Sequence, residues 1–291
     1  MAESNSKKNR SVIQSKDESY TAKDAIFIVL FFAVIAGYFI HKTFPRTFIS
    51  CSEDQKLLTR IPDFLPEEEF LHLKKQLMLH PHTTSRKHLA NEPLPHTRGA
   101  VIMFNKEGIQ EFRNNSVKDE MVYLQNFLDK VVLNETNAFV INVLICDPKP
   151  IENGVKHFGD IDDSVAAHLD GNVAIKSTHH TFLAHEVNVL YVNIPKDMEG
   201  GKLSVYPYST GGPRWKAWYR EQVKKPKENL LVTFRGDSYH AVSGYYTDTN
   251  EKRISLILEQ YIIPEEYYHN TVRYAVDDYE HKHAVREHAE L

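Results

Sequence analysis

Between residues 138 and 263 the chain is divided into five short apolar runs, 138–146, 187–194, 202–206, 230–234 and 254–263, and the stretches between them are rich in Gly, Pro, Asn and Asp. Runs this short, rich in Val and Ile and bounded by turn formers, predict strands. Strands crowded into one half of a chain bury their apolar faces against each other, in a sandwich or a barrel. Upstream the pattern changes. Residues 57–61 predict one strand, and PEEEFLHLKKQL, opening at Asp63 or Pro66, predicts a helix with glutamates first and lysines later. Phe70, Leu71, Leu73 and Leu77 would form its apolar face. A second predicted helix opens at Ser116, with Asp119 three residues on, and carries Leu124, Phe127, Leu128 and Val131 at helical spacing. Residues 80–98, rich in His, Pro, Thr and Asn, read as a loop. Helices first and strands afterwards predict an α+β fold in which N-terminal helices buttress a jelly roll, the double-stranded β-helix.

The segment before this domain is suited to a different solvent. Residues 1–24 are polar and mixed in charge, and read as a disordered tail. From Ala25 to Ile40 there is no charge at all (AIFIVLFFAVIAGYFI). A helix of that length rises roughly 24 Å against a hydrocarbon core of ~30 Å, and Lys23 and Lys42 can snorkel across the difference. A signal peptide would need a short basic start and a small-x-small cleavage site, and a core helix would keep a polar face. The reading is one transmembrane helix at 25–41, a linker at 42–56, a domain at 57–273 and a charged tail at 274–291. Lys7, Lys8, Arg10, Lys16 and Lys23 precede the apolar run, and Lys42, Arg46, Lys56 and Arg60 follow it. That small excess places the N-terminus in the cytosol and the domain in the lumen of the endoplasmic reticulum or Golgi. Sequons at Asn114 and Asn134 agree with a lumenal domain, but such triplets are common by chance.

Composition excludes other classes. A 42% hydrophobic share with 25% charged residues describes a folded protein, and a net charge of −4 gives no basic face for nucleic acid. Cys51 and Cys146 permit one bridge or two free thiols, and no disulfide framework.

One cluster in the strand-rich half carries chemistry. On a strand, positions i and i+2 share a face, so His168 and Asp170 can offer an imidazole and a carboxylate to one ion. Chance alone supplies about two His-x-acid pairs in such a composition, and the chain has two, the other being His288-Ala289-Glu290. Context separates them. His240 ends LLVTFRGDSYH, an apolar run followed by a Gly-Asp turn that would bring it to the mouth of a barrel. Two histidines and one carboxylate leave coordination positions open, the pattern of a mononuclear non-haem iron site. Further on, Arg253 opens RISLILEQYII, and two readings stand for it. It enters the barrel and meets a carboxylate bidentately, with Ser255 on the same face, or it ends the charged turn 248–252 in solvent. His179, His180 and His185 lack the intervening Glu of a helical zinc motif and read as surface or supporting residues. Residues 160–163 lack the Gly and Glu of a calcium loop.

In order, AHLDG, VNVLYVNIP, EGGKLSVYP, LLVTFRGDSYHAVSG and RISL resemble the iron(II)- and 2-oxoglutarate-dependent dioxygenase superfamily, most of all its prolyl 4-hydroxylase-like branch. RIPDFLPEEEF resembles the leading strand and helix of that branch, so the match spans residues 57–265. The resemblance implies His168, Asp170 and His240 as ligands of Fe(II). It implies Arg253 as partner of the distal carboxylate of 2-oxoglutarate, assisted by Ser255 and Tyr191, with ascorbate as an auxiliary reductant. It further implies hydroxylation of a C–H bond in a protein or peptide, with a peptidyl proline as the substrate. Two departures stand out: collagen-type members carry a lysine where Arg253 stands, and residues 245–252 form an insertion. The alternatives are a catalytically inactive jelly-roll binding protein, a dioxygenase acting on a small molecule, and a metal hydrolase. Residues 211–227, aromatic and basic, are expected to form a substrate-facing lid or a plain surface loop.

Overall fold

A computed structural model describes residues 26–27, 29–31, 34, 46–52, 54–79, 97–113, 122–151, 163–171, 175, 180–207, 221–223 and 225–277. The chain divides into two units, Met1–Pro45 and Arg46–Leu291. In the first unit Ile26, Phe27, Val29, Leu30, Phe31 and Val34 are helical and exposed. Among the described residues no helix is long and apolar enough to cross a membrane. The rest of the expected anchor, and the polar tail before it, lie outside them.

The second unit opens with β1 (Thr47–Phe48), β2 (Leu58–Ile61), α1 (Glu67–Leu79), β3 (Thr97–Asn105) and α2 (Lys106–Arg113). A 3-10 turn (Val122–Leu124) leads into α3 (Gln125–Val131) and β4 (Ala138–Cys146). Then come β5 (Asp163–His168), β6 (Thr181–Phe182), β7 (Glu186–Asn193), β8 (Glu199–Gly200), β9 (Leu203–Val205) and β10 (Glu221–Val223). The chain continues through β11 (Leu231–Arg235), β12 (His240–Ser243), β13 (Tyr245–Tyr246), β14 (Arg253–Tyr261), α4 (Glu265–Tyr268) and β15 (Tyr274–Asp277). Seven strands form one sheet in the order β15-β3-β4-β14-β7-β11-β2, and four form another in the order β10-β9-β12-β5. Neighbours within both sheets are antiparallel.

The large sheet is buried on both faces, and this explains why β4, β7 and β14 read as continuous apolar runs. One face, with Val140, Leu144, Val187 and Val189, packs on Val165, Leu203, Val205 and Val242 of the small sheet. The other, with Ile102, Ile141, Val143, Leu256 and Leu258, is covered by Phe70, Leu73 and Leu77 of α1 and by Leu124, Phe127, Leu128 and Val131. The expected sheet-rich α+β architecture is therefore present, with helices on one side of the large sheet and the small sheet on the other.

Several local expectations need correction. Leu71 is 55% exposed, so the buried stripe of α1 is Phe70, Leu73 and Leu77 only. The second helix begins at Gln125 after its 3-10 turn, and 114–121 lie outside the described residues. Strand β3 begins inside the stretch read as a loop. Gly99 there has φ +151°, and a Cβ on it would sit 1.7 Å from the Val143 carbonyl oxygen, so only glycine fits against β4. The expected C-terminal tail is strand at its start, because Tyr274–Asp277 pairs with β3 at the sheet edge. In the expected linker, β1 pairs in parallel with β6. Cys51 and Cys146 are both free.

Gln260 ties the helical layer to the large sheet. Fully buried, its amide donates to the Val131 carbonyl (3.0 Å) and to Asn188 Oδ1 (2.7 Å), while its oxygen accepts from Leu133 N–H (2.9 Å). It thereby satisfies groups left over where α3 ends. Gln260→Leu leaves these buried partners unpaired and is expected to cost about 2–4 kcal/mol of stability, measured by urea unfolding with an unchanged slope.

Candidate metal centre

The small sheet builds the centre from two adjacent strands. His168 ends β5, His240 begins β12, and the two are direct cross-strand partners, with ring centroids 4.2 Å apart. Asp170 lies two residues past His168, beyond the end of the strand rather than on it. Its carboxylate still reaches between the rings, Oδ1 3.4 Å from His168 Nε2 and Oδ2 3.5 Å from His240 Nε2. One ligand atom from each residue lies within 4.8 Å of the other two. The register of β5 against β12 slips just beyond this pair, an irregularity of the kind that re-aims side chains beside a site.

The turn before His240 is pinned. Arg235 Nε and Nη2 donate to the two carboxylate oxygens of Asp237 at 3.0 and 2.7 Å. Gly236 passes so close to Ala184 that a Cβ would sit 2.1 Å from its carbonyl oxygen. Both rings are also oriented from behind. His168 Nδ1 lies 2.8 Å from the Ala166 carbonyl oxygen and His240 Nδ1 3.3 Å from that of Ser238. A carbonyl only accepts, so each Nδ1 carries the proton, and each Nε2 presents its lone pair to the shared space when the ring is neutral.

Burial opposes charge on all three groups. It pushes His240 down to about 4, with His168 adding to the effect and Asp170 opposing it. It also works to raise Asp170, but His240 and His168 outweigh it and hold the carboxyl below its ordinary range. In His168 burial is outweighed by the hydrogen bond and charge of Asp170, and the ring is raised. The directions favour Asp170 as a carboxylate and His240 as a neutral ring, the forms in which both can coordinate.

The three residues open on a cavity of about 50 Å³ between the two sheets. Its far wall is β14, from which Arg253, Ser255, Ile257 and Glu259 all face inward. Arg253 is 1% exposed, which settles the choice left open by its position after a charged turn. Its Nε and Nη1 are buried and have no hydrogen-bond partner among the described residues. A guanidinium in that condition calls for an anion. Ser255, 2% exposed, lines the same cavity. Tyr191, fully buried, lies beside Arg253, with its ring against the guanidinium, 5.2 Å from ring centre to Cζ.

Tyr245, at the start of the stretch 245–252, holds the backbone at Arg253 in place. Tyr245, fully buried, accepts the Arg253 backbone N–H at 2.9 Å and donates to the carbonyl of Cys146, the cross-strand partner of Arg253, at 2.8 Å. The register of β14 against β7 slips between Ile254 and Ser255, next to the same residue. Tyr245 was hidden from sequence reasoning because Tyr245-Tyr246 looks like any strand edge. Asn142 and Glu259, also in the cavity wall, look in sequence like solvent-facing interruptions.

Two histidines and one carboxylate, with no further acidic, cysteine or histidine ligand beside them among the described residues, suit a divalent transition metal that keeps open positions. The buried, unpaired Arg253 suits a carboxylate co-substrate. His180 and His185 are not in this group: His180 Nδ1 accepts from Arg46 N–H, and His185 Nδ1 lies 3.1 Å from the Ser50 carbonyl oxygen. His179, Asp160 and most of the expected lid at 211–227 lie outside the described residues.

No family model and no curated protein matches the chain. Solved structures do resemble it. A Bacillus thuringiensis protein described as IDO has a TM-score of 0.44 at 13% identity, over 72% of this chain and 94% of that one. A prolyl-4-hydroxylase from Pseudomonas putida has 0.39 at 15%, over 72% and 94%. A 2OG-Fe(II) oxygenase family oxidoreductase from Burkholderia pseudomallei has 0.41 at 14%, over 79% and 99%. Resemblances at this level leave the chemistry of this chain to its own side chains.

Proposed function

We propose that this chain is an Fe(II)- and 2-oxoglutarate-dependent dioxygenase that hydroxylates a C–H bond of a peptide. The observation that carries this is one cavity holding both halves of the requirement: a His-x-Asp and distal His set, and a buried arginine with two unpaired donors. A metal hydrolase needs no such arginine, and a binding protein without a metal needs no such convergence of Nε2 and carboxylate atoms.

His168, Asp170 and His240 would hold the iron, and the Nδ1 contacts to Ala166 and Ser238 keep the two rings from rotating out of position. Bound iron and 2-oxoglutarate supply the oxidation, in which dioxygen gives one atom to the substrate C–H bond and the other to succinate, with release of carbon dioxide. Arg253 pairs with the distal carboxylate of the co-substrate, and Ser255 offers it a hydroxyl. Tyr191 supports the guanidinium through its ring face. Leu144, Val165, Val187, Val189, Leu203 and Val242 line the rest of the cavity and keep water from the reacting atoms.

The order of motifs along the chain supports a peptidyl proline as the oxidised residue. The uncharged run from Ala25 to Ile40 supports a single-pass anchor at 25–41, with residues 1–24 in the cytosol and the domain in the lumen of the endoplasmic reticulum or Golgi.

The full-length chain supplied with Fe(II), ascorbate and 2-oxoglutarate is expected to release succinate, and His168→Ala to lower the rate by about 100-fold or more, beyond the roughly 10- to 100-fold cost of losing a ligand's supporting partner. No succinate from the wild-type chain, or undiminished release by the variant, excludes the dioxygenase reading. On intact microsomes the C-terminal domain is expected to resist added protease until detergent is present. Digestion without detergent places the domain in the cytosol.

A further inference from the structure

We infer that residues 46–55, which lead into the domain, form a strap that positions the metal ligands, with Phe48 as its main fastening. The inference rests on the reading of His168, Asp170 and His240 as metal ligands, and adds what holds them in place.

Strand pairing sets His168 opposite His240, but Asp170 lies past the end of β5, and the turn at 236–239 that delivers His240 lies outside the ladders. Both are held by the segment 183–185. The Ala184 N–H donates to the Asp170 carbonyl at 3.1 Å, and Leu183 forms a bridge with Gly171, the next residue. The His185 carbonyl accepts the Gly236 N–H at 3.3 Å, and Gly236 is pressed against Ala184.

The strap grips the same segment. Where β1 pairs with β6, the Arg46 carbonyl accepts the Thr181 N–H at 2.7 Å and the Phe48 carbonyl accepts the Leu183 N–H at 3.0 Å. The Phe48 ring stacks on Phe182, with centroids 4.6 Å apart and planes 7° from parallel, and meets Tyr267 edge-on at 5.5 Å. Farther along, the Cys51 thiol and the Gln55 amide donate to the His185 carbonyl at 3.1 and 3.3 Å. That carbonyl is thus shared between the strap and the turn leading to His240. Leu183 takes the strap's carbonyl, and Ala184, next in the chain, holds Asp170.

A two-residue ladder has little stability of its own, so the seating of the strap depends on the Phe48 ring. Two sites joined through one short segment bias each other equally, so a seated strap favours the metal as much as the metal favours seating. All three ligands lie after residue 57, yet their arrangement is set by residues before it.

The test is metal binding without turnover. The full-length chain is titrated with cobalt(II), whose visible absorption reports its ligands. Phe48→Ala is expected to bind cobalt about tenfold more weakly, the low end of the cost of losing a contact that orients a ligand. Phe48→Tyr keeps the stack and should bind within about twofold of the wild type. Leu73→Ala, under α1 on the opposite face of the large sheet, lowers stability and should leave cobalt affinity unchanged. In the wild-type chain cobalt should slow hydrogen exchange at residues 46–52, which include no ligand, by the same factor of about ten. Undiminished affinity in Phe48→Ala, an equal loss in Leu73→Ala, or exchange at 46–52 that ignores the metal overturns the inference. Should Phe48→Ala fail to fold, the exchange measurement decides. A chain that binds no cobalt overturns the inference together with the metal site, whereas cobalt binding with no succinate release under iron(II) sinks the dioxygenase reading alone.

Discussion

An arginine buried at the first residue of β14, with two of its donors unpaired, is the constraint on which the rest of the structure depends. Taking a guanidinium out of water costs several kcal/mol, and only an anion of matching geometry offsets it. The fold fixes the backbone there through Tyr245 and the cross-strand pairing with Cys146. It shields one face of the guanidinium with the Tyr191 ring. The remaining donors are left for a ligand. An anionic ligand that meets those donors offsets the cost of burying the guanidinium.

The two sheets divide the work. The large sheet, buried on both faces, is the rigid wall that carries Arg253, Ser255, Asn142 and Glu259, and α1 and α3 hold it from behind through apolar contacts and Gln260. The small sheet carries the metal ligands on two adjacent strands, where register alone brings His168 opposite His240. The functional groups therefore come together through strand pairing more than through loops. Glycines with no room for a side chain, Gly99 and Gly236, mark where the pieces are pressed closest.

Legibility from sequence followed burial. Where a side chain met one environment, its type revealed it: Phe127, Leu128 and Val131 at helical spacing, or the apolar runs of β4 and β14. The pairing of His168 with Asp170 was legible from the i, i+2 rule, although the strand stops at His168 and the carboxylate is delivered by the chain just beyond. Arg253 was ambiguous because a turn of charged residues precedes it, and only its burial resolves the choice. Strand β3 was missed because Thr97-Arg98-Gly99 resembles a loop, when the glycine is there for close approach to β4. Leu71 was misplaced because helical spacing alone does not say where a buried stripe ends. Glu259, Asn142 and Gln260 were passed over because a polar residue in an apolar run reads as solvent-facing, whereas both sides of this sheet are covered.

The central claim is that the metal ligands and Arg253 serve one ligand. Calorimetric titration of 2-oxoglutarate into the zinc-loaded full-length chain tests it most directly. The account predicts that binding needs the metal, and that Arg253→Met, which keeps bulk and removes the donors, weakens it by about 100-fold. Wild-type affinity in Arg253→Met, or in the metal-free chain, would contradict it.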